Sequence, residues 1–253
     1  MKITFLGTGT SQGIPVVACN CEVCQSNDPH DKRLRSSVLV EVNDTILVID
    51  AGPDFRQQML REKVKRIDAI LLTHAHKDHI GGLDDVRSFN WVLQKPVNVY
   101  ASVETQEQVM IEFAYAFGEN RYPGVPNINL IEVDEKPFVI GTTEVLPILA
   151  FHHKMPVLGF RINDFTYITD ANHIPEIELE KVRGSKILVL NALRKKKHIS
   201  HFTLHEALDI IEEVKPEKAY LTHLSHQMGF HSEVEKELPK NVHLAYDGLR
   251  VIL

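Results

Sequence analysis

Between Thr73 and His79 the chain reads Thr-His-Ala-His-Lys-Asp-His, which puts His74, His76, Asp78 and His79 within six positions of one another. Packing does not account for such density, because histidine and aspartate are rarely left without partners in a core. The segment follows the apolar run Ala69–Leu72 and precedes Gly81-Gly82. It therefore reads as a loop leaving a buried strand. There, alternate residues can turn two imidazoles toward one ion and leave Asp78 and His79 to serve a second nearby. Neutral imidazole and carboxylate suit Zn, Mn or Fe. The plainer reading is a solvated histidine-rich turn, which the number of ligands in so short a span disfavours.

His-x-His-x-Asp-His after a short strand resembles the signature of the metallo-β-lactamase superfamily. Upstream, Ile49-Asp50-Ala51-Gly52 is similar to the superfamily's first motif, whose Asp is structural. The resemblance implies an α/β fold, a four-layer αββα sandwich of two similar halves with two divalent metal ions, Zn or Mn, at one edge of the paired sheets. It also implies that further ligands arrive as one His, one Asp and one last His, each at a strand end. The first is His152 or His153, with His152 preferred because similar members have a single His followed by a variable residue and then Lys-Met/Leu-Pro. The others are Asp170, in Tyr-Ile-Thr-Asp and placed to bridge both ions, and His223, in Tyr-Leu-Thr-His.

Cys19, Cys21 and Cys24 make up the whole cysteine content and lie within six residues. Disulfide frameworks use an even number spread along the chain, whereas a short cluster in a reducing compartment points to metal. Tetrahedral zinc wants a fourth ligand, and His226, three residues after His223, can complete a Cys₃His site. Together with Gly7-Thr8-Gly9-Thr10 this pattern resembles the cyclic-phosphodiesterase branch associated with carbon–phosphorus lyase pathways. In that branch the second His of His-x-x-His binds a structural zinc. Three free thiols are the alternative.

His201 lies two residues before Thr203, at an expected helix N-terminus, where free amides favour a phosphate. In the similar phosphodiesterases a His at the matching position contacts substrate and protonates the leaving group; an ordinary surface His is the alternative. His198 is a weaker candidate, and His30, His173, His205, His231 and His243 read as ordinary histidines. The run Arg194-Lys195-Lys196-Lys197 could attract an anion, although most such runs are solvated faces.

The elements that must position these residues are short strands alternating with helices. Val38–Val42 and Ile46–Asp50 read as a hairpin about Asn43-Asp44, and Ala69–Leu72 as a buried strand. Helices are expected over Pro53–Glu62, with Asp54 as N-cap, and from Gly82 to about Leu93. Strands near 137–151 and 157–169 precede a helix after Pro175. A strand follows at Ile187–Leu190, then a helix from Thr203, whose Thr-Leu-His-Glu is a capping box. The strand Ala219–Thr222, a helix over Ser232–Leu238 and a final strand pair close the chain. Linkers, repeats and low-complexity tracts are absent, so residues 1–253 read as a single hydrolase domain with a structural zinc loop at about 13–35.

Composition narrows the function. The 253 residues are 43% hydrophobic and 25% charged, ordinary for a soluble globular protein. A net charge of −6 argues against coating nucleic acid. No apolar run approaches the ~20 residues of a membrane span, and the N-terminal run is too short for a secretory signal; a cytoplasmic location follows. Two ions held close together would acidify a bound water toward neutral pH and neutralise charge developing on a phosphoryl group. Asp78 and His201 are the residues expected to act on the reacting groups. The expected activity is a phosphodiesterase on a small phosphodiester or cyclic phosphate, with the assembly left open and a homodimer one of the options. Within the resembled superfamily, lactam-cleaving members of one class use a late Cys ligand, and none occurs after Cys24. Transfer-RNA-processing members carry a basic arm that this chain lacks. Lactonase or thioesterase chemistry on the same metals, a ribonuclease-like activity and a non-catalytic zinc protein are the other classes.

Overall fold

At Asn43 the chain turns back on itself in a left-handed conformation (φ 52°), which asparagine tolerates better than most residues. The flanking runs pair antiparallel, Val38 opposite Ile49 and Val42 opposite Thr45. This is the expected hairpin, in a computed structural model that describes residues 1–118 and 121–253. The strands in chain order are β1 Lys2–Gly7, β2 Ser37–Val42, β3 Thr45–Ile49, β4 Ala69–Leu71, β5 Val97–Ala101 and β6 Ile128–Glu132. They are followed by β7 Phe138–Ile140, β8 Thr143–His152, β9 Met155–Ile162, β10 Phe165–Ile168 and β11 Ile187–Asn191. The last three are β12 Lys218–Thr222, β13 Val242–Leu244 and β14 Arg250–Ile252.

They form two seven-stranded sheets, β14-β1-β2-β3-β4-β5-β6 and β13-β12-β11-β10-β9-β8-β7. In each sheet, antiparallel strands lead into strands joined by parallel pairing, from β3 to β6 and from β10 to β13. The two halves thus repeat one plan.

Alternation along the strands explains the layering, since successive side chains point to opposite faces. In β2, Val38, Val40 and Val42 enter the core between the sheets, while Leu39 joins the cluster on the outer face. In β11, Ile187 and Val189 face inward, and Leu188 and Leu190 pack outward. Strands covered on both faces read as continuous apolar runs. The outer faces are covered by helices: Phe55, Met59, Phe89 and Val109 on the first sheet, Leu179, Leu204, Ala207, Ile211 and Val234 on the second. The result is an αββα sandwich. Phe160 and Tyr167, fully buried between the sheets, meet Phe5, Val38 and Ile49 from the facing sheet. Phe160→Ala would cost about 3–5 kcal/mol of stability.

Several boundaries depart from expectation. The helix after Pro53 spans Phe55–Arg61, and Asp54 does not cap it. Its carboxylate instead accepts the Arg35 amide at 2.8 Å and the Arg35 guanidinium at 3.0 Å, an ionic partner displacing a local one. The segment after Gly82 is a 3₁₀ turn, Leu83–Val86, running into a helix, Arg87–Leu93. The final two strands do not pair with each other: β13 joins β12, and β14 crosses to β1. The capping box does form, with Glu206 N donating to Thr203 Oγ1 (3.2 Å) and Thr203 N donating to Glu206 Oε2 (2.8 Å). Among the described residues no helix is long and apolar enough to cross a membrane.

Candidate metal centre

The candidate ligands lie where strands of both sheets end. Asp50 follows β3, Asp170 follows β10 and His223 follows β12, each in the left-handed region at φ 64°, 56° and 56°. Non-glycine residues held there cost of order 1–3 kcal/mol each and cluster at functional sites. All three are buried. The loop after β4 supplies the rest, docked backbone to backbone on the Asp50–Gly52 segment: Ala51 N donates to His79 O (2.7 Å) and Gly82 N to Ala51 O (2.8 Å). The approach is so close that a Cβ on Gly52 would lie 1.9 Å from Asp78 O, which explains the glycine.

One nitrogen of each of four imidazoles is occupied by protein, and this fixes where the other points. His79 Nδ1 lies 2.6 Å from Asp50 Oδ2, His74 Nδ1 3.0 Å from Thr73 Oγ1, His223 Nε2 3.1 Å from Thr10 Oγ1 and His152 Nδ1 2.7 Å from Ser200 O. His74 Nε2, His79 Nε2 and His223 Nδ1 are left buried with no well-aligned hydrogen-bond partner. Orphaned buried nitrogens are costly, yet these converge. Ligand atoms of Asp78, His79, Asp170 and His223 all lie within 4.8 Å of one another, as do those of His74, His76 and Asp170. Asp170 faces both groups: Oδ1 is 2.9 Å from His223 Nδ1 and 3.4 Å from His79 Nε2, and Oδ2 is 3.8 Å from His74 Nε2. The donor set fits two divalent ions bridged by Asp170, with the imidazoles oriented from behind by carboxylate, hydroxyl or carbonyl groups.

His152 ends β8 and stands beside this cluster, its ring 5.0 Å from that of His76 and 5.8 Å from that of His74. His153 is exposed, on the turn beyond. Burial penalises charge throughout the centre. For His79 the Asp170, Asp50 and Asp78 carboxylates outweigh that penalty and hold its pKa well above the usual range. For His74 burial, reinforced by His79, holds the pKa well below it. Burial would also raise Asp78 and Asp170, but neighbouring imidazoles, His79 and His223 foremost, keep both carboxyls ionised.

His201 is only 8% exposed and stacks on this cluster, 4.9 Å from the His223 ring and 4.5 Å from that of His152. The helix N-terminus expected to hold phosphate beside it is already taken: the Glu206 carboxylate occupies it through the capping box. An anion would therefore meet His201 itself, whose Nδ1 is buried without a partner. Burial first, then the His223 charge, pushes the His201 pKa down to about 3, so the ring is neutral near pH 7.

A second donor cluster lies in the loop between β1 and β2. Sγ atoms of Cys19, Cys21 and Cys24 are 3.4, 3.2 and 3.5 Å from His226 Nδ1. Tetrahedral zinc with Zn–S of about 2.3 Å and Zn–N of about 2.0 Å requires S···N edges of about 3.5 Å. The four donors fit such an ion. Cys24 packs with Ile14 and Val23, and burial raises its thiol to about 11. Cys21, whose thiolate accepts the Cys24 amide, is lowered to about 6.

Sequence reasoning passed over Thr10, Thr73 and Ser200, which orient three of the imidazoles. A lone hydroxyl or carbonyl carries no spacing signal, although Thr10 stands in the Gly-Thr-Gly-Thr run. His205 is exposed and His243 pairs with Glu235, as befits ordinary histidines.

Residues 45–224 match the family model described as a beta-lactamase superfamily domain. The chain belongs to the metallo-β-lactamase superfamily. A solved structure described as a new diphosphatase from the PhnP family has a TM-score of 0.93 to this superfamily member at 39% identity, covering 100% of this chain and 97% of that one. An octanoyltransferase of Porphyromonas gingivalis is 40% identical over 257 residues, taking in 100% of this chain but 52% of the relative. A ribonuclease Z of Staphylococcus epidermidis is 28% identical over 195 residues, 73% of this chain and 54% of the relative. The chain thus spans about half the length of these two relatives. Superfamily membership and the diphosphatase likeness support a metal-dependent hydrolase.

Proposed function

We propose that this hydrolase is a two-metal phosphodiesterase acting on a small phosphodiester or cyclic phosphate. The observation that carries the reading is Asp170, whose two carboxylate oxygens face two separate sets of histidines. Asp78, His79 and His223 would hold one ion with Asp170 Oδ1; His74, His76 and His152 would hold the other with Oδ2. Two ions so bridged would supply an acidified water and neutralise charge on a phosphoryl group between them. The names of the diphosphatase and ribonuclease relatives support phosphoryl chemistry.

The side chains do the rest. Asp78 is a carboxylate at every working pH and can accept a hydrogen bond from the attacking water. His201 enters as a neutral N–H donor, aimed at a phosphoryl or leaving oxygen. Negative charge on bound substrate raises its proton affinity toward that of a general acid. We read the Cys19, Cys21, Cys24 and His226 cluster as a structural zinc of the Cys-x-Cys-x-x-Cys kind, and residues 1–253 as one hydrolase domain.

Metal-reconstituted protein assayed on bis(p-nitrophenyl) phosphate, a lactone and an acyl thioester tests the reading. Turnover is expected on the phosphodiester. The thioester arm probes the acyl chemistry in the name of the Porphyromonas relative, and turnover confined to thioester or lactone would overturn the proposal.

A further inference from the structure

Tyr167 lies on β10, three residues before Asp170, and is fully buried between the two sheets. Its ring packs in the core that holds Phe5, Ile49 and Phe160, a place phenylalanine would fill as well. The hydroxyl is what packing leaves unexplained. Oη is buried with no well-aligned hydrogen-bond partner, and an unmet buried hydroxyl is destabilising. Burial first, then the Asp50 carboxylate, raises its pKa well above the usual range, so the phenol keeps its proton and acts as a donor.

The acceptors near that donor are not equivalent. Asp50 is already occupied: the Thr73 amide donates to Oδ1 at 2.9 Å, and Oδ2 lies 3.0 Å from the Thr73 hydroxyl and 2.6 Å from His79 Nδ1. The hydrogen-bonding side chain beside the phenol is Thr169. Its hydroxyl, on a residue with no exposed surface, donates to Asp170 Oδ1 at 2.8 Å. A hydroxyl carries one hydrogen and two lone pairs, so Thr169 Oγ1 can still accept. A phenolic O–H turned toward it completes a series in which each hydroxyl donates to the next and the last donates to the carboxylate, an arrangement whose bonds strengthen one another. Asp170 Oδ1 is also the oxygen 2.9 Å from His223 Nδ1, so the series ends on the side of the carboxylate that faces one of the two ligand sets.

We propose that Tyr167 is a positioning residue for the metal pair, its phenol donating to Thr169 Oγ1 so that the Thr169 proton stays on Asp170 and the carboxylate keeps its bridging pose. The inference rests on Asp170 as the bridging ligand. Competition of Mn²⁺-loaded protein against a chelator of known affinity tests it through a double-mutant cycle. Tyr167→Phe keeps the ring and should lower metal affinity about 2–10-fold, the contribution of one neutral hydrogen bond. Thr169→Val, which removes the link, should lower it about 10–100-fold. Adding Tyr167→Phe to Thr169→Val should then bring no further loss, because the two hydroxyls act as one unit. Thr169→Ser retains the hydroxyl and should leave the response to Tyr167→Phe intact. A ring that serves packing alone would respond to Tyr167→Phe in the same way whichever residue stands at 169. Unchanged affinity in Tyr167→Phe, or an undiminished loss when it is added to Thr169→Val, would overturn the proposal. Failure of the bridging reading would show separately, as retention of both ions by Asp170→Ala.

Discussion

His79 Nδ1 and Asp50 Oδ2 lie 2.6 Å apart, both side chains fully buried. Asp50 is held in turn by Thr73, whose amide donates to Oδ1 at 2.9 Å and whose hydroxyl lies 3.0 Å from Oδ2. The carboxylate fixes the tautomer, so that His79 Nε2 is directed at Asp78 and Asp170. Asp50→Asn keeps the shape but removes the charge that orients the ring. Loss of such a supporting group lowers metal affinity about 10–100-fold. Competition against a chelator of known affinity measures this, and unchanged affinity would show that Asp50 serves the fold alone.

Variants at Asp170 and His152 test the proposed ligands against their neighbours. Asp170→Ala should abolish hydrolysis and lower bound metal while circular dichroism stays near wild type, since the side chain serves the ions more than the core. His152→Ala should lose metal, whereas His153→Ala, on an exposed turn, should keep the full complement. Elemental analysis of the three variants decides between them. Metal loss from His153→Ala but not from His152→Ala would reverse the assignment.

Cys21→Ser removes one thiolate from the proposed zinc cluster. Metal-binding energy is part of folding energy in such sites, and the cluster ties the loop between β1 and β2 to the segment after β12. The melting temperature should fall more than the specific activity of the protein that remains folded. Absence of zinc beyond the catalytic pair in fresh protein would contradict the assignment.

For His201 the leaving group is the probe. General acid–base catalysis contributes about 10²–10⁴-fold, most where the departing oxygen is basic. His201→Ala should slow an alkyl or ribosyl phosphodiester by that factor and bis(p-nitrophenyl) phosphate far less. With its pKa lowered to about 3, chiefly by burial, His201 is already deprotonated in the free enzyme above pH 5. Because a general acid must carry a proton, His201 should make the wild-type kcat/KM fall with rising pH between about pH 5 and 9, a dependence the variant should lose. Equal loss on both substrates with metal retained would mean that His201 binds phosphate without donating a proton.

Much of this was legible in the sequence because ligand chemistry and strand ends leave local marks. His74 to His79 is dense, Asp170 and His223 each close an apolar run, and Thr203 with Glu206 spells its own cap. What stayed hidden depends on distant contacts. Asp54 reads as a helix cap until Arg35, 19 residues away, takes its carboxylate. The crossing of β14 to β1 follows from which sheet edge is open, a property of neither strand. The helix N-terminus near His201 looked like a phosphate site because the same capping box that announces the helix also fills its anion position. Ser200 acts through its backbone carbonyl, for which residue identity carries no information.

A metal titration tests most directly whether a bridged pair of ions performs phosphodiester hydrolysis. Chelator-stripped protein, its thiol site first refilled with zinc, is titrated with Mn²⁺ or Zn²⁺ while bis(p-nitrophenyl) phosphate hydrolysis is followed. Activity should be negligible at the start and should saturate as the second equivalent per chain is bound. Full turnover by the stripped protein, or saturation after a single equivalent, would contradict the account.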